Sequence, residues 1–154
     1  MNRYKFFLPI GFFAFFAAIT FYAAVVVADT AQEIAITEVI KKQWDKPNQP
    51  VLVPVVVVSH DFAIADWIQE PRGGRALLRL NAGHWQALMC GDDHLKQYRR
   101  LTDMGVPDAD AEQLIAALTQ AEAQLSLDQQ TTINSFKGMV DLLKTPHDHA
   151  KSHE

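Results

Sequence analysis

An α+β fold is predicted by three observations on the sequence. An apolar stripe at helical spacing (Ile36, Val39, Ile40, Trp44) comes first. Four stretches that read as β-strands follow it, separated by turn signals, and three further helical stripes close the chain. The expected architecture is therefore an N-terminal helix, a four-stranded antiparallel meander and three C-terminal helices. The segment Asp61 to Asp93 carries most of the strand signal and the single cysteine, Cys90.

Each element has its own warrant. Thr30 with Glu33 forms a capping box, in which hydroxyl and carboxylate satisfy the free amides of a helix start. Pro47 and Pro50 end that helix, because proline neither donates an amide nor lets its neighbour stay helical. Val51 to Ser59 is a β-branched run suited to a strand buried on both faces, and Pro54 within it requires an edge position or a bulge. In Phe62 to Gln69, Ala63, Ala65 and Trp67 share one face, with Phe62, Ile64 and Ile68 on the other. Asp66 falls in the second set, which places that face near solvent or a partner. Glu70 to Gly74 reads as a loop, and Asn81-Ala82-Gly83 joins Arg75–Leu80 to His84–Cys90 as a hairpin.

Past Gly91-Asp92-Asp93, a short helix with Leu95, Tyr98 and Leu101 stops at Gly105. Asp108, Asp110 and Glu112 put negative charge where the next helix's macrodipole favours it, ahead of a Leu114–Leu118–Ala121–Leu125 stripe. Ser126 and Gln129 form a second capping box, and Ile133, Phe136, Val140 and Leu143 continue as one helical face. Pro146 ends the order, leaving 146–154 as a flexible, histidine-bearing tail.

Ahead of this single domain (29–145) lies an address. Arg3 and Lys5 precede 6–28, a run of 23 residues without a charge. Its length exceeds the ~7–15 residues of a signal-peptide core and suffices to span a bilayer, whereas Val26-Val27-Ala28 supplies a small-residue cleavage site. Residues 1–28 are thus a signal peptide or an N-terminal membrane anchor. Both readings export the domain, to the periplasm or to the outer face of the inner membrane. Two of the 14 basic residues lie in this leader, which leaves 12 against 18 acidic ones. That balance speaks against nucleic-acid binding, which wants a basic face.

Few constellations carry chemistry. Met89, Cys90 and His94 offer the soft sulfur and imidazole ligands that copper(I) selects. Adjacent strand residues point to opposite faces, so Met89 and Cys90 share an ion only where the strand ends. The competing reading of Cys90 is a buried thiol that packs as a small hydrophobe. His147, His149 and His153 form a His-x-His-x3-His tail that suits a borderline metal, at an entropic cost that limits affinity. Cysteine catalysis lacks a signature, since His84 and Cys90 stand ~20 Å apart along one strand. The Arg72–Arg75 stretch with its glycine pair is a weak anion cradle that a loop explains equally well.

Val55 to Val58, Asp61, Ala63-Ile64-Ala65 with Trp67, Gly73 to Arg79, Trp85 to Asp92 and Gly105-Val106-Pro107 resemble the small exported bacterial proteins called copper uptake system-associated proteins. The resemblance covers roughly Thr30 to Leu143. It implies a non-enzymatic accessory that works beside copper-acquisition proteins of the cell envelope, with copper as the metal concerned. It hands over no reaction and no ligand set. An interaction module without metal, tethered or secreted, is the alternative. The helix-then-meander order is also analogous to cystatin-like or NTF2-like architectures, which says nothing of function by itself.

Overall fold

The computed structural model describes residues 30–144. The chain is α+β, a five-stranded antiparallel sheet with several helices. Helix α1 (Thr30–Trp44) leads into β1 (Leu52–Ser59), β2 (Phe62–Gln69), β3 (Arg72–Asn81) and β4 (His84–Gly91). A 3-10 turn (Asp93–Lys96), α2 (Tyr98–Asp103), α3 (Asp108–Glu122) and α4 (Leu127–Ile133) follow, and β5 (Met139–Asp141) ends the series. Strand order in the sheet is β1-β2-β3-β4-β5.

Apolar residues occur at consecutive strand positions, so both faces of the sheet need a cover. On one face Ile36 and Ile40 of α1 meet Val58, Ala63, Ala65, Ala76, Leu78, Ala87 and Cys90. The four alanines leave room for the helix to sit close. On the other, Val55, Val57, Phe62, Ile64 and Leu77 meet Leu95, Leu101, Ala111, Leu114 and Leu118 from the C-terminal helices. The result is three layers with two cores.

Local signals act as their chemistry requires. β1 lies at the sheet's edge, and its pairing with β2 slips between Leu52 and Val55, the stretch that holds Pro54. Ala82 and Gly83 both take positive φ (48° and 80°) between the paired residues Asn81 and His84, which makes the two-residue primed turn that antiparallel strands favour. Ser126 accepts from the Gln129 amide and the Gln129 side chain accepts from the Ser126 amide, closing the expected capping box of α4.

Three expectations are corrected. The meander has a fifth strand where a continuing helix was expected: α4 stops at Ile133, Gly138 takes φ +81°, and β5 pairs with β4 (Cys90↔Val140). The spacing of Phe136, Val140 and Leu143 fitted a helix, but pairing to the open edge of β4 wins over local periodicity. Gly73 and Gly74 lie inside β3, because other parts of the chain press on them. A Cβ at Gly73 would stand 2.8 Å from the carbonyl oxygens of Thr132 and Trp67, and one at Gly74 would stand 3.0 Å from Phe136 and Trp67 carbons. Asp66, placed near solvent by its sequence neighbours, is 0% exposed under the C-terminal helices.

The seating of α4 on β3 can be tested at Gly73. Gly73→Ala meets backbone that cannot swing away, and is expected to cost about 1–3 kcal/mol in urea denaturation. Gly83→Ala has open space around it and pays only for its left-handed backbone, about 1–2 kcal/mol. A Gly73 variant no less stable than the wild type would contradict this packing.

Candidate functional site

β4 carries Met89 and Cys90 to its exit, and the sheet sends them apart. Cys90 pairs with Ala76 and Val140, is 6% exposed and belongs to the core under α1. Met89 packs into the opposite core. Burial pushes the Cys90 thiol up to about 12. The Trp67 indole N–H, beside the sulfur and without a full hydrogen bond of its own, pulls the other way and does not offset it. At neutral pH the group is a thiol, and a buried thiol is neither a ready nucleophile nor a ready metal ligand.

His94 is committed elsewhere. Asp92 accepts its backbone N–H at 3.0 Å and lies 2.5 Å from its ring Nδ1, while Asp92 Oδ2 accepts the Gly138 N–H at 2.8 Å. Burial alone would raise the Asp92 carboxyl, but these donors outweigh it and hold the group near 2. The pair thereby fastens the exit of β4 to the approach of β5. Met89, Cys90 and His94 do not form one cluster, and among the described residues no three His, Cys, Asp or Glu side chains are grouped to hold a metal ion. His147, His149 and His153 lie outside the described residues, as does the 1–28 leader. Among the described residues no helix is long and apolar enough to cross a membrane.

Sequence reasoning missed the most heavily charged place in the core. Arg75, 1% exposed, donates from Nε to Glu122 Oε1 at 2.7 Å and from Nη2 to Asn134 Oδ1 at 2.9 Å. Its Nη1 stands 3.1 Å from Asp93 Oδ1, an ion pair not aligned as a hydrogen bond. Lys96 Nζ donates to Glu122 Oε2 at 2.6 Å. Asp66, opposite Arg75 across the β2–β3 pair, comes within 3.6 Å of its Nε, but that N–H is already given to Glu122. Neither Asp66 oxygen has a hydrogen-bond partner. Burial, with Glu122 adding to it against the pull of Arg75 and Lys96, raises this carboxyl from 3.8 to about 7. A signal existed in the sequence: Asp66 is the one charged residue of an apolar strand, and the hairpin register sets it opposite Arg75.

A second group was also missed. Ser59 Oγ donates to Asp110 Oδ1 at 2.6 Å, and His60 Nδ1 lies 2.6 Å from the same oxygen. The order is hydroxyl, carboxylate, imidazole, so the histidine is not placed to take the serine proton as a catalytic triad requires. Ser59 is also 2% exposed. The group instead ties the β1–β2 turn, where His60 takes φ 48°, to the first turn of α3. The Asp110 hydrogen bond raises the His60 imidazole.

No family model, curated protein or solved structure matches the chain. Chemically, the arrangement offers a buried, un-ionised thiol, a buried ion network, and an apolar cavity of about 240 Å³ that Cys90 helps to wall.

The raised Asp66 sets a pH dependence. Its folded form resists ionisation, so the unfolded chain loses the proton first as pH rises from 3.8. Stability therefore falls between about pH 4 and pH 7 and levels above it, by an amount on the order of 4 kcal/mol at most. Asp66→Asn removes that slope and raises the melting temperature at pH 8; a variant with the wild-type pH profile of thermal unfolding would refute it. Removing Arg75 strands Glu122 and Asp66, and Arg75→Met is expected to cost about 3–5 kcal/mol by chemical denaturation.

Proposed function

We propose that this protein is a non-enzymatic accessory of the bacterial cell envelope, associated with copper uptake or homeostasis, that binds copper weakly. The 1–28 leader and the family resemblance carry this reading, whereas the burial of Cys90 counts against a copper corner at the exit of β4. With the thiol buried and Met89 and His94 turned elsewhere, copper contact falls to His147, His149 and His153.

Export follows from the 1–28 leader, which delivers the domain to the periplasm or anchors it to the inner membrane. Its partners are then the copper-acquisition proteins of the envelope, as the family resemblance implies. We take the helix ahead of the meander as a scaffold of the cystatin-like or NTF2-like kind. An interaction module without metal is the second reading, favoured by the apolar cavity beside Cys90. Its contact surface is not the sheet face around Asp66, which the helices cover.

Copper(I) and copper(II) titrations of the protein, its Cys90→Ser variant and a truncation after Thr145 separate these readings. The truncation is expected to weaken copper(II) binding at least tenfold, and Cys90→Ser to leave it within about twofold. Retention near zero in all three proteins would remove copper binding from the proposal.

A further inference from the structure

The cavity beside Cys90 is walled by the partly exposed Trp44, Trp67, Phe136 and Leu142 and by the buried Val51. It adjoins a more polar depression of about 380 Å³, with which it shares Trp67, Gln69 and Phe136. Lys46, Glu70 and Arg72 rim that depression. Lys46 and Arg72 join no ion pair among the described residues, whereas Lys41, Lys96, Lys144 and Arg75 all do. Two free cations against one carboxylate make a locally positive rim on a chain whose net charge is -4.

The walls are fixed in place. Gly74 lets Phe136 lie directly on the sheet, edge-to-face with Trp67 at 5.7 Å and 77°. The Phe136 amide donates to the Gly73 carbonyl at 3.0 Å, which holds that ring's backbone to β3. Gln69 Nε2 donates to the carbonyls of Trp44 (2.9 Å) and Gln49 (2.8 Å), fastening the end of α1 and the Lys46–Pro50 loop to β2. A preformed apolar chamber with a few polar groups at its mouth is the usual form of a small-molecule site.

We propose that this chamber and its cationic rim bind a medium-chain carboxylate, with the alkyl tail between the aromatic walls and the carboxylate at Lys46 and Arg72. The tail meets carbon and the uncharged thiol of Cys90, which desolvates no ion. Charge complementarity places the head on the rim, where the Lys46 ammonium and the Arg72 guanidinium stand against a single acid, Glu70. Chamber size sets the length: about 240 Å³ falls below the ~300–1,000 Å³ of drug-sized sites, which suits one short chain and excludes a two-chain lipid. This inference stands apart from copper binding, since it uses none of the tail histidines.

Titration of the protein with decanoate, followed by calorimetry and tryptophan fluorescence, tests it. Saturable one-to-one binding is expected, because Trp44 and Trp67 form the walls. A Lys46→Glu, Arg72→Glu double variant should bind decanoate at least tenfold more weakly and leave decanol binding unchanged. Val140→Trp, at a 44% exposed wall position, should weaken both ligands and report on the chamber if the charge variant were to misfold. Equal affinity for decanoate, decanol and decyltrimethylammonium would overturn the proposal. So would preference for phosphatidylcholine vesicles over monomeric decanoate, or self-association of the protein that competes with decanoate.

Discussion

The guanidinium of Arg75 constrains more of this molecule than any other group. A charge withdrawn from water must be met by partners that cannot leave, and here they come from separate parts of the chain. Glu122 is the last residue of α3, Asn134 caps the end of α4, and Asp93 opens the 3-10 turn after β4. Lys96 then neutralises the second oxygen of Glu122. These contacts fix where two helices end and the 3-10 turn begins over the sheet, which apolar packing alone leaves loosely specified. Asp66 stands at the margin of the arrangement: close enough to feel the cation and denied its hydrogen bonds.

The second constraint is a sheet that is apolar on both sides. Covering each face requires a separate layer, and the chain supplies α1 for one and the C-terminal helices for the other. Cys90 and Met89, neighbours in sequence, fall into different cores for this reason. The same geometry that makes β4 a good central strand makes it a poor place to gather metal ligands. Among the described residues, the cavity beside Cys90 lies at the margin of the α1 layer.

Much of the architecture was legible because its determinants are local. Pro54 announced an edge or a bulge, and β1 is an edge strand whose register slips there; Asn81-Ala82-Gly83 announced a hairpin, and Ala82 and Gly83 take positive φ. Ser126 and Gln129 announced the start of α4. What the sequence hid was decided at long range. Val140 and Phe136 sit at helical spacing, yet one pairs with Cys90 in a strand and the other folds onto Gly74. Asp66 looked like a surface residue until its cross-strand partner, Arg75, was seen to bring a whole charged network inside. The apolar cavity was illegible for a similar reason, because its walls come from α1, β2, β4 and the segment after α4.

The late strand β5 has one more consequence. Unpaired strand edges are templates on which neighbouring molecules extend a sheet, and proteins blunt them to remain apart at high concentration. β5 covers the exit half of β4 and is itself three residues long, too brief a ladder for another chain to extend. At the opposite margin, β1 carries Pro54 and a slipped register, which deny a newcomer a continuous row of donors. The β5 margin and the Pro54 stretch of β1 are therefore ill suited to growth, which lets a strongly β-forming valine run sit at an edge of the sheet.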